Sequence, residues 1–236
     1  MSQRPPSPRE RYRVQTAEEA KRIASRQLAE GGPGAISLNA IAKEMGLTGP
    51  ALYRYFASRD ELLAELVTDA YNDLADVFQA AAEQEGAHSP RARLHALAEA
   101  YRQWALAQPH RYQLLFASSA GSGQLAPERT IPAAHRTMTF LFDTLVKLLS
   151  ASPTTIEPQA ALDRQLEQWA ERRLGPKVQG LVARHGLLFW TRLHGLLSLE
   201  LLGHFAVMGI DPTLLYAAEV DALIGGEETP RRPKKR

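Results

Sequence analysis

The chain has 236 residues, 44% of them hydrophobic and 23% charged, which is enough apolar material for a sizeable core in one or two domains and too much for a disordered chain. It contains no cysteine, which excludes a disulfide framework and a thiolate metal site and suits a reducing cytoplasm. The net charge of +2 is unevenly spread: residues 1–13 carry Arg4, Arg9, Arg11 and Arg13 against Glu10, the tail carries Arg231, Arg232, Lys234, Lys235 and Arg236, and an acidic surplus fills residues 60–229. The ends suit a polyanion and the middle does not.

The first residues, MSQRPPSPRERYR, lack the apolar core of a signal peptide and read as a flexible basic arm over 1–13. From residue 16 on, strand signals are nearly absent and apolar residues recur at helical spacing, which predicts an all-α protein. Thr16 and Glu19 form a capping-box pattern ahead of Ala20, Ile23, Ala24 and Leu28, and Gly31-Gly32-Pro33-Gly34 ends that helix. Ser37 caps a short helix, Leu38 to Met45, that buries Leu38, Ile41 and Met45; Gly46 then makes a turn too tight for a β-carbon. Thr48 caps a second short helix with Pro50 near its start, where a missing N–H is harmless, and with Leu52 and Phe56 turned inward. Ser58-Arg59-Asp60-Glu61 is another capping box, opening a long helix to about Gln84.

Further helices are expected near 91–107, 110–117, 132–150, 159–174, 178–208 and 212–224, with loops at 117–124 and 150–155 and Asp211-Pro212 as a cap and first-turn pair. The apolar run 186–210 has the length of a membrane span but holds Arg192, His194, Glu200 and His204. A charge near the bilayer centre costs about 2.5–3.5 kcal/mol, so this run reads as a helix buried in protein.

Helix, short helix, tight turn, short helix is the helix-turn-helix arrangement. With Leu52-Tyr53-Arg54-Tyr55-Phe56 followed by Arg59-Asp60-Glu61-Leu62, residues 16–66 resemble the DNA-binding domain of the tetracycline-repressor (TetR) family of bacterial transcriptional regulators. Phe189-Trp190 with His194-Gly195 resembles the WHG type of C-terminal domain found in some members. The resemblance implies a helix-turn-helix DNA-binding domain over 14–60, a helical ligand-binding and dimerisation domain over 61–225, and a basic tail at 226–236.

If Leu52 and Phe56 mark the buried side of their helix, Tyr53 and Arg54 point away from it and Tyr55 lies near the boundary. The resemblance implies that Thr48, Tyr53, Tyr55 and Arg59 contact phosphates, that Gly49, Pro50, Ala51 and Arg54 lie at or near base edges, and that Ser37 and Asn39 are further DNA-contacting positions. Asn39 stands where relatives commonly have a cation. The competing reading is that the tyrosines cover the small core and Arg54 is solvated. For the arm and the tail, phosphate or minor-groove contact and a merely solvated terminus both stand open.

Catalytic and metal readings find no constellation. Gly31–Gly34 and Gly121-Ser122-Gly123 lack the lysine of a phosphate-binding loop, and no Gly-x-Ser-x-Gly elbow occurs. His185, His194 and His204 are out of helical phase, and Glu200 with His204 is half a site that reads better as a buried polar pair. No cofactor is expected. Trp190 to Met208 is apolar almost all round, and Gly195, Leu199 and Gly203 recur at intervals of four on a ridge that lets another helix come close, from a dimer partner or from within the chain. Tyr71, Phe78, Tyr101, Trp104, Phe116 and Phe140 gather more aromatic surface than a small helical layer needs. The resemblance makes them candidate ligand-binding residues for an unknown small, mostly apolar effector. The expected protein is thus a cytoplasmic, non-enzymatic, ligand-responsive repressor, a homodimer on a palindromic operator in double-stranded DNA, with no membrane association. The alternative is a helical small-molecule-binding protein or enzyme with a vestigial DNA-binding motif.

Overall fold

The computed structural model describes residues 7–84, 89–116, 125–151, 159–174 and 178–225, and every regular element among them is helical. In chain order these are α1 (Pro8–Gly31), a 3-10 turn (Pro33–Ala35), α2 (Leu38–Glu44), α3 (Gly49–Leu52), α4 (Arg59–Gln84), α5 (Pro90–Ala107), α6 (Pro109–Phe116), α7 (Pro127–Ala151), α8 (Ala160–Leu174), α9 (Gly180–Leu201), α10 (His204–Met208) and α11 (Pro212–Gly225). No helix among the described residues is long and apolar enough to cross a membrane. Two compact units emerge, one of residues up to Asp73 with Gln108–Ala134, the other of Leu74–Ala107 with residues from His135 onward. Both α4 and α7 contribute to each.

The first unit begins earlier than the periodicity implied. Ser7 caps α1, its hydroxyl accepting from the Glu10 N–H at 3.3 Å while the Glu10 carboxylate accepts from the Ser7 N–H at 2.7 Å, and Pro8 fills the first turn. Thr16, read as the cap, is instead a buried interior residue whose hydroxyl donates to the Tyr12 carbonyl at 2.9 Å. Ser7-Pro8-Arg9-Glu10 and Thr16–Glu19 carry the same pattern, and the upstream one wins because nothing between them breaks a helix. Residues 8–13 are therefore exposed helix rather than a flexible arm, and residues 1–6, with Arg4, lie outside the described residues, as does the tail at 226–236.

Thr16, Ala20, Ile23, Ala24 and Leu28 form the buried stripe of α1, and Leu38, Ile41, Ala42, Leu52, Phe56, Leu62, Leu63, Leu66 and Val67 complete this small core. A fully buried side chain of this kind contributes about 1.5–3 kcal/mol. Ala42 takes the place expected for Met45, which closes α2 and stays half-exposed. Further along this unit, the rings of Tyr112 and Phe116 of α6 meet at 5.2 Å in a tilted pair and Phe116 meets the Tyr71 ring edge-on at 6.3 Å.

Helix α7, whose residues from His135 on belong to the second unit, starts at Pro127 rather than near 132, and Pro132 sits inside it at the position whose N–H would otherwise reach back to Glu128. Helices α8 and α9 come so close that a β-carbon on Gly180 would stand 2.3 Å from the Asp163 carbonyl oxygen. Beside that contact the buried Arg184 forms an ion pair with Asp163, Nε to Oδ1 at 3.0 Å. The single helix expected over 178–208 is broken: α9 ends at Leu201, and Gly203, with φ 77°, turns the chain into α10. That left-handed conformation is open to glycine and closed to most side chains. Asp211 caps α11 as expected, its carboxylate accepting from the Thr213 N–H at 2.8 Å.

Candidate nucleic-acid interface

Helices α2 and α3 are joined by a turn in which Gly46 has φ 66°, the Leu47 N–H donates to the Ala42 carbonyl at 2.8 Å and the Gly46 N–H to the Lys43 carbonyl at 3.2 Å. This doubly bonded glycine ending closes α2, and only four residues, 45–48, separate it from α3. Ser37 caps α2, its hydroxyl accepting from the Ala40 N–H at 3.3 Å, and its own N–H donates to the Gln27 side chain at 3.0 Å, fastening the start of α2 to α1. The other end of α2 is tied to α1 by the Arg26–Glu44 ion pair. Thr48 occupies the cap position of α3 in extended geometry without a side-chain capping bond. Its hydroxyl therefore has no part in ending the helix.

α3 is one turn, prolonged by bonds from the Tyr53 N–H to the Gly49 carbonyl at 3.1 Å and from the Phe56 N–H to the Leu52 carbonyl at 3.2 Å. Leu52 and Phe56 are buried; Thr48, Pro50, Tyr53 and Arg54 are exposed, and Gly49, Ala51 and Tyr55 are half-exposed. Tyr53 keeps 47% of its surface open. Asn39 is exposed, and its Oδ1 lies 3.3 Å from where a β-carbon on Gly49 would stand, so the first turn of α2 abuts the first residue of α3. Arg59 departs from the expected phosphate-facing pose: its guanidinium donates from Nε to the Ile36 carbonyl at 3.2 Å and from Nη2 to the Pro33 carbonyl.

Tyr71 and Phe116 meet in the first unit, whereas Phe78 meets Tyr101 edge-on at 6.1 Å in the second, where Trp104 is buried on the same helix as Tyr101. Phe140 lines an open cleft of about 560 Å³ with Gln79, Ala82, Glu83, Arg93, Asp143, Thr144 and Lys147, whose lining surface is mostly apolar although four of these residues are charged. No group of three or more His, Asp or Glu side chains able to hold a metal occurs among the described residues. Glu200 and His204 are not a pair, because α9 ends between them; His204 is exposed and Glu200 is bound by Arg102. Arg102 itself escaped the sequence reading, although it shares the buried phase of Ala98, Tyr101 and Ala105, and a charge at such a phase requires a buried partner. Leu199 is 42% exposed, as is much of the following surface at Leu202, Val207, Met208 and Leu214. Gly195 and Gly203 are half-exposed with nothing within 4 Å of a β-carbon built on either.

Sequence comparison agrees with this geometry. Residues 22–66 match the model of bacterial regulatory proteins of the tetR family, and residues 94–223 match a tetracycline-repressor-like C-terminal domain. The chain belongs to the TetR family. It is 32% identical over 205 residues to the HTH-type transcriptional regulators Rv1816 of Mycobacterium tuberculosis (strain ATCC 25618 / H37Rv) and Mb1846 of Mycobacterium bovis, covering 86% of this chain and 88% of each relative. The solved structure of SCO4313, described as a candidate regulatory protein, is 42% identical and superimposes with a TM-score of 0.76 over 93% of this chain and 100% of its own. The TetR family regulator PfmR of Thermus thermophilus, at 20% identity and a TM-score of 0.56 over 91% of this chain and 96% of its own, shares the fold. As a TetR family member the protein is a DNA-binding transcriptional regulator, and α2–α3 is its helix-turn-helix.

Proposed function

We propose that this regulator is a ligand-responsive repressor that binds a roughly palindromic operator as a homodimer, with α3 and the start of α2 in the major groove. In this reading Thr48, Tyr53 and Tyr55 contact phosphates, Gly49, Pro50, Ala51 and Arg54 face base edges, and Ser37 and Asn39 flank them. The observation that carries it is the exposed polar surface of residues 48–55 held by the buried Leu52 and Phe56. Two-fold symmetry then matches two half-sites about one helical turn apart. The apolar residues left open from Leu199 to Leu214 support a second copy as their cover, with Gly195 and Gly203 at the contact. A small effector in the second unit, near Phe78, Tyr101 and Trp104 or in the cleft beside Phe140, would release the operator only by binding the DNA-free conformation more tightly. The function is binding in the cytoplasm rather than turnover.

Fragments selected from genomic DNA by the protein provide the test. Affinity for the selected sequence should fall steeply with salt, Tyr53→Phe should weaken all DNA binding, and Arg54→Ala should also change base preference. Unchanged affinity in a folded Tyr53→Phe variant, or no selected sequence at all, refutes the assignment.

A further inference from the structure

We infer that Arg59 is a positioning residue for the helix-turn-helix rather than one of its phosphate ligands. This deepens the operator-binding reading and rests on it. Two of the three guanidinium nitrogens are committed to backbone carbonyls, Nε to Ile36 at 3.2 Å and Nη2 to Pro33. The third, Nη1, lies 3.8 Å from the Asp60 carboxylate, so an incoming phosphate would meet an anion already in place. A planar fork that spans two carbonyls is a property of arginine that a lysine ammonium, a single point charge on a flexible stem, does not reproduce.

What the fork holds is the segment that delivers α2. Arg59 is the first residue of α4, fixed in turn by Ser58, whose hydroxyl accepts from the Glu61 N–H at 3.1 Å. Its two acceptors bracket the 3-10 turn; Ile36 is 3% exposed, and the next residue, Ser37, is bonded to Gln27 and caps α2. Two residues further on, Asn39 abuts Gly49 at the head of α3. A continuous series of contacts therefore runs from the start of α4 through residues 33–37 to both DNA-facing helices. Arg59 sets the register in which Asn39 and Arg54 face the groove together.

The test compares wild type, Arg59→Lys and Arg59→Met on the operator fragment selected by the wild-type protein and on an unrelated duplex of equal length, between 50 and 200 mM salt. A positioning role predicts that Arg59→Lys, which keeps the charge, lowers the operator-to-unrelated affinity ratio tenfold or more with its salt slope unchanged, and speeds hydrogen exchange at the amides of residues 36–40. Arg59→Met should lower the ratio at least as far. If Arg59→Lys keeps the ratio within twofold, or if Arg59→Met weakens both duplexes equally with a slope smaller by about one, the residue is a phosphate ligand and the inference is wrong. Should Arg59→Met fail to fold, Arg59→Lys decides alone. A wild-type protein that selects no operator removes the DNA-binding reading itself, a result distinct from either outcome above.

Discussion

Removing Glu200 should destabilise the second unit far more than removing any exposed charge. Arg102 keeps 9% of its surface and donates from Nε at 3.1 Å and from Nη2 at 2.6 Å to the two Glu200 oxygens; Nη2 also reaches the Thr213 hydroxyl at 3.1 Å. The guanidinium lies 5.7 Å from the Tyr216 ring centroid, and the Tyr216 hydroxyl donates to the Ala98 carbonyl at 2.8 Å. The Glu200 bond holds the Arg102 pKa above its ordinary value, against the opposing effect of burial. In Glu200→Ala the guanidinium stays buried with one hydroxyl and one ring as partners, and such an uncompensated charge costs about 3–5 kcal/mol. That is a large part of the roughly 5–15 kcal/mol by which domains are stable. The double variant Arg102→Met/Glu200→Leu removes both charges and should unfold within about 1 kcal/mol of wild type or above it, since apolar replacement of a buried pair is often neutral or stabilising.

The assay is urea unfolding of Glu200→Ala and of the four proteins of the cycle, wild type, Arg102→Met, Glu200→Leu and the double variant, at one fixed concentration, because self-association makes the midpoint depend on concentration. A loss below about 1 kcal/mol in Glu200→Ala, or a double variant whose loss equals the two single losses added, would show that the pair is neither buried nor coupled as described.

Gly186→Ala should lose about 1–2 kcal/mol, because the new β-carbon would fall 2.4 Å from the ring of the buried Phe142 and overpacking outweighs the roughly 1 kcal/mol of helix propensity gained; a stabilised variant in thermal unfolding contradicts the close approach. Burial lowers the His194 pKa below 6.5, and burial with the nearby Arg173 lowers that of His135, so the unfolded chain binds more protons as pH falls. Stability should be full above about pH 6.5 and decline as pH falls through the folded-state values, less steeply in His135→Gln/His194→Gln; Glu10 and Glu19, held below 4.5 by hydrogen bonds to Ser7 and Arg22, act only at lower pH. Parallel midpoints in the two proteins between pH 5 and 7 would exclude the histidines as the cause. Leu199→Arg should give monomers with poor operator affinity by light scattering and gel shift, whereas a wild-type protein that is monomeric at micromolar concentration excludes the dimer.

The helices were legible wherever local signals agreed. Ser37, Gly46, Ser58 and Asp211 each mark a boundary in the sequence and each does so in the structure, because capping is a contact between residues two to four apart. Where two local signals competed, spacing alone did not rank them, as at Ser7 and Thr16. The break after Leu201 was hidden for a related reason: the run from Trp190 to Met208 is apolar almost all round, so a change of helix axis leaves little mark in the periodicity, and the positive φ of Gly203 reveals it. The candidate DNA-facing residues were readable because Leu52 and Phe56 fix the phase of one turn. What lay beyond reach was pairing across the sequence: Arg59 with Pro33 and Ile36, and Arg102 with Glu200 and Thr213, partners 23 to 111 residues apart. Which of the six aromatics proposed for one ligand site meet one another was out of reach for the same reason, since composition counts rings without saying which of them touch.

The glycines of α9 bear on assembly in a way that single-chain packing does not exhaust. Glycine inside a helix costs roughly 1 kcal/mol against alanine, so each needs a compensating reason. Gly180 has one in the Asp163 backbone and Gly186 another in the Phe142 ring, both closer than a β-carbon allows. Gly195 has neither: a β-carbon there would meet nothing within 4 Å, although the position lies in mid-helix, one turn before the 42% exposed Leu199. Among the described residues the space it leaves is open, and in the proposed dimer a helix from the second copy would use it. This distinguishes the two glycine classes experimentally. Gly195→Ala should stabilise the isolated chain by about 1 kcal/mol through helix propensity while weakening self-association, the opposite of the Gly186→Ala effect on folding. A Gly195→Ala protein that dimerises as tightly as wild type would mean that the open face is not where two copies meet.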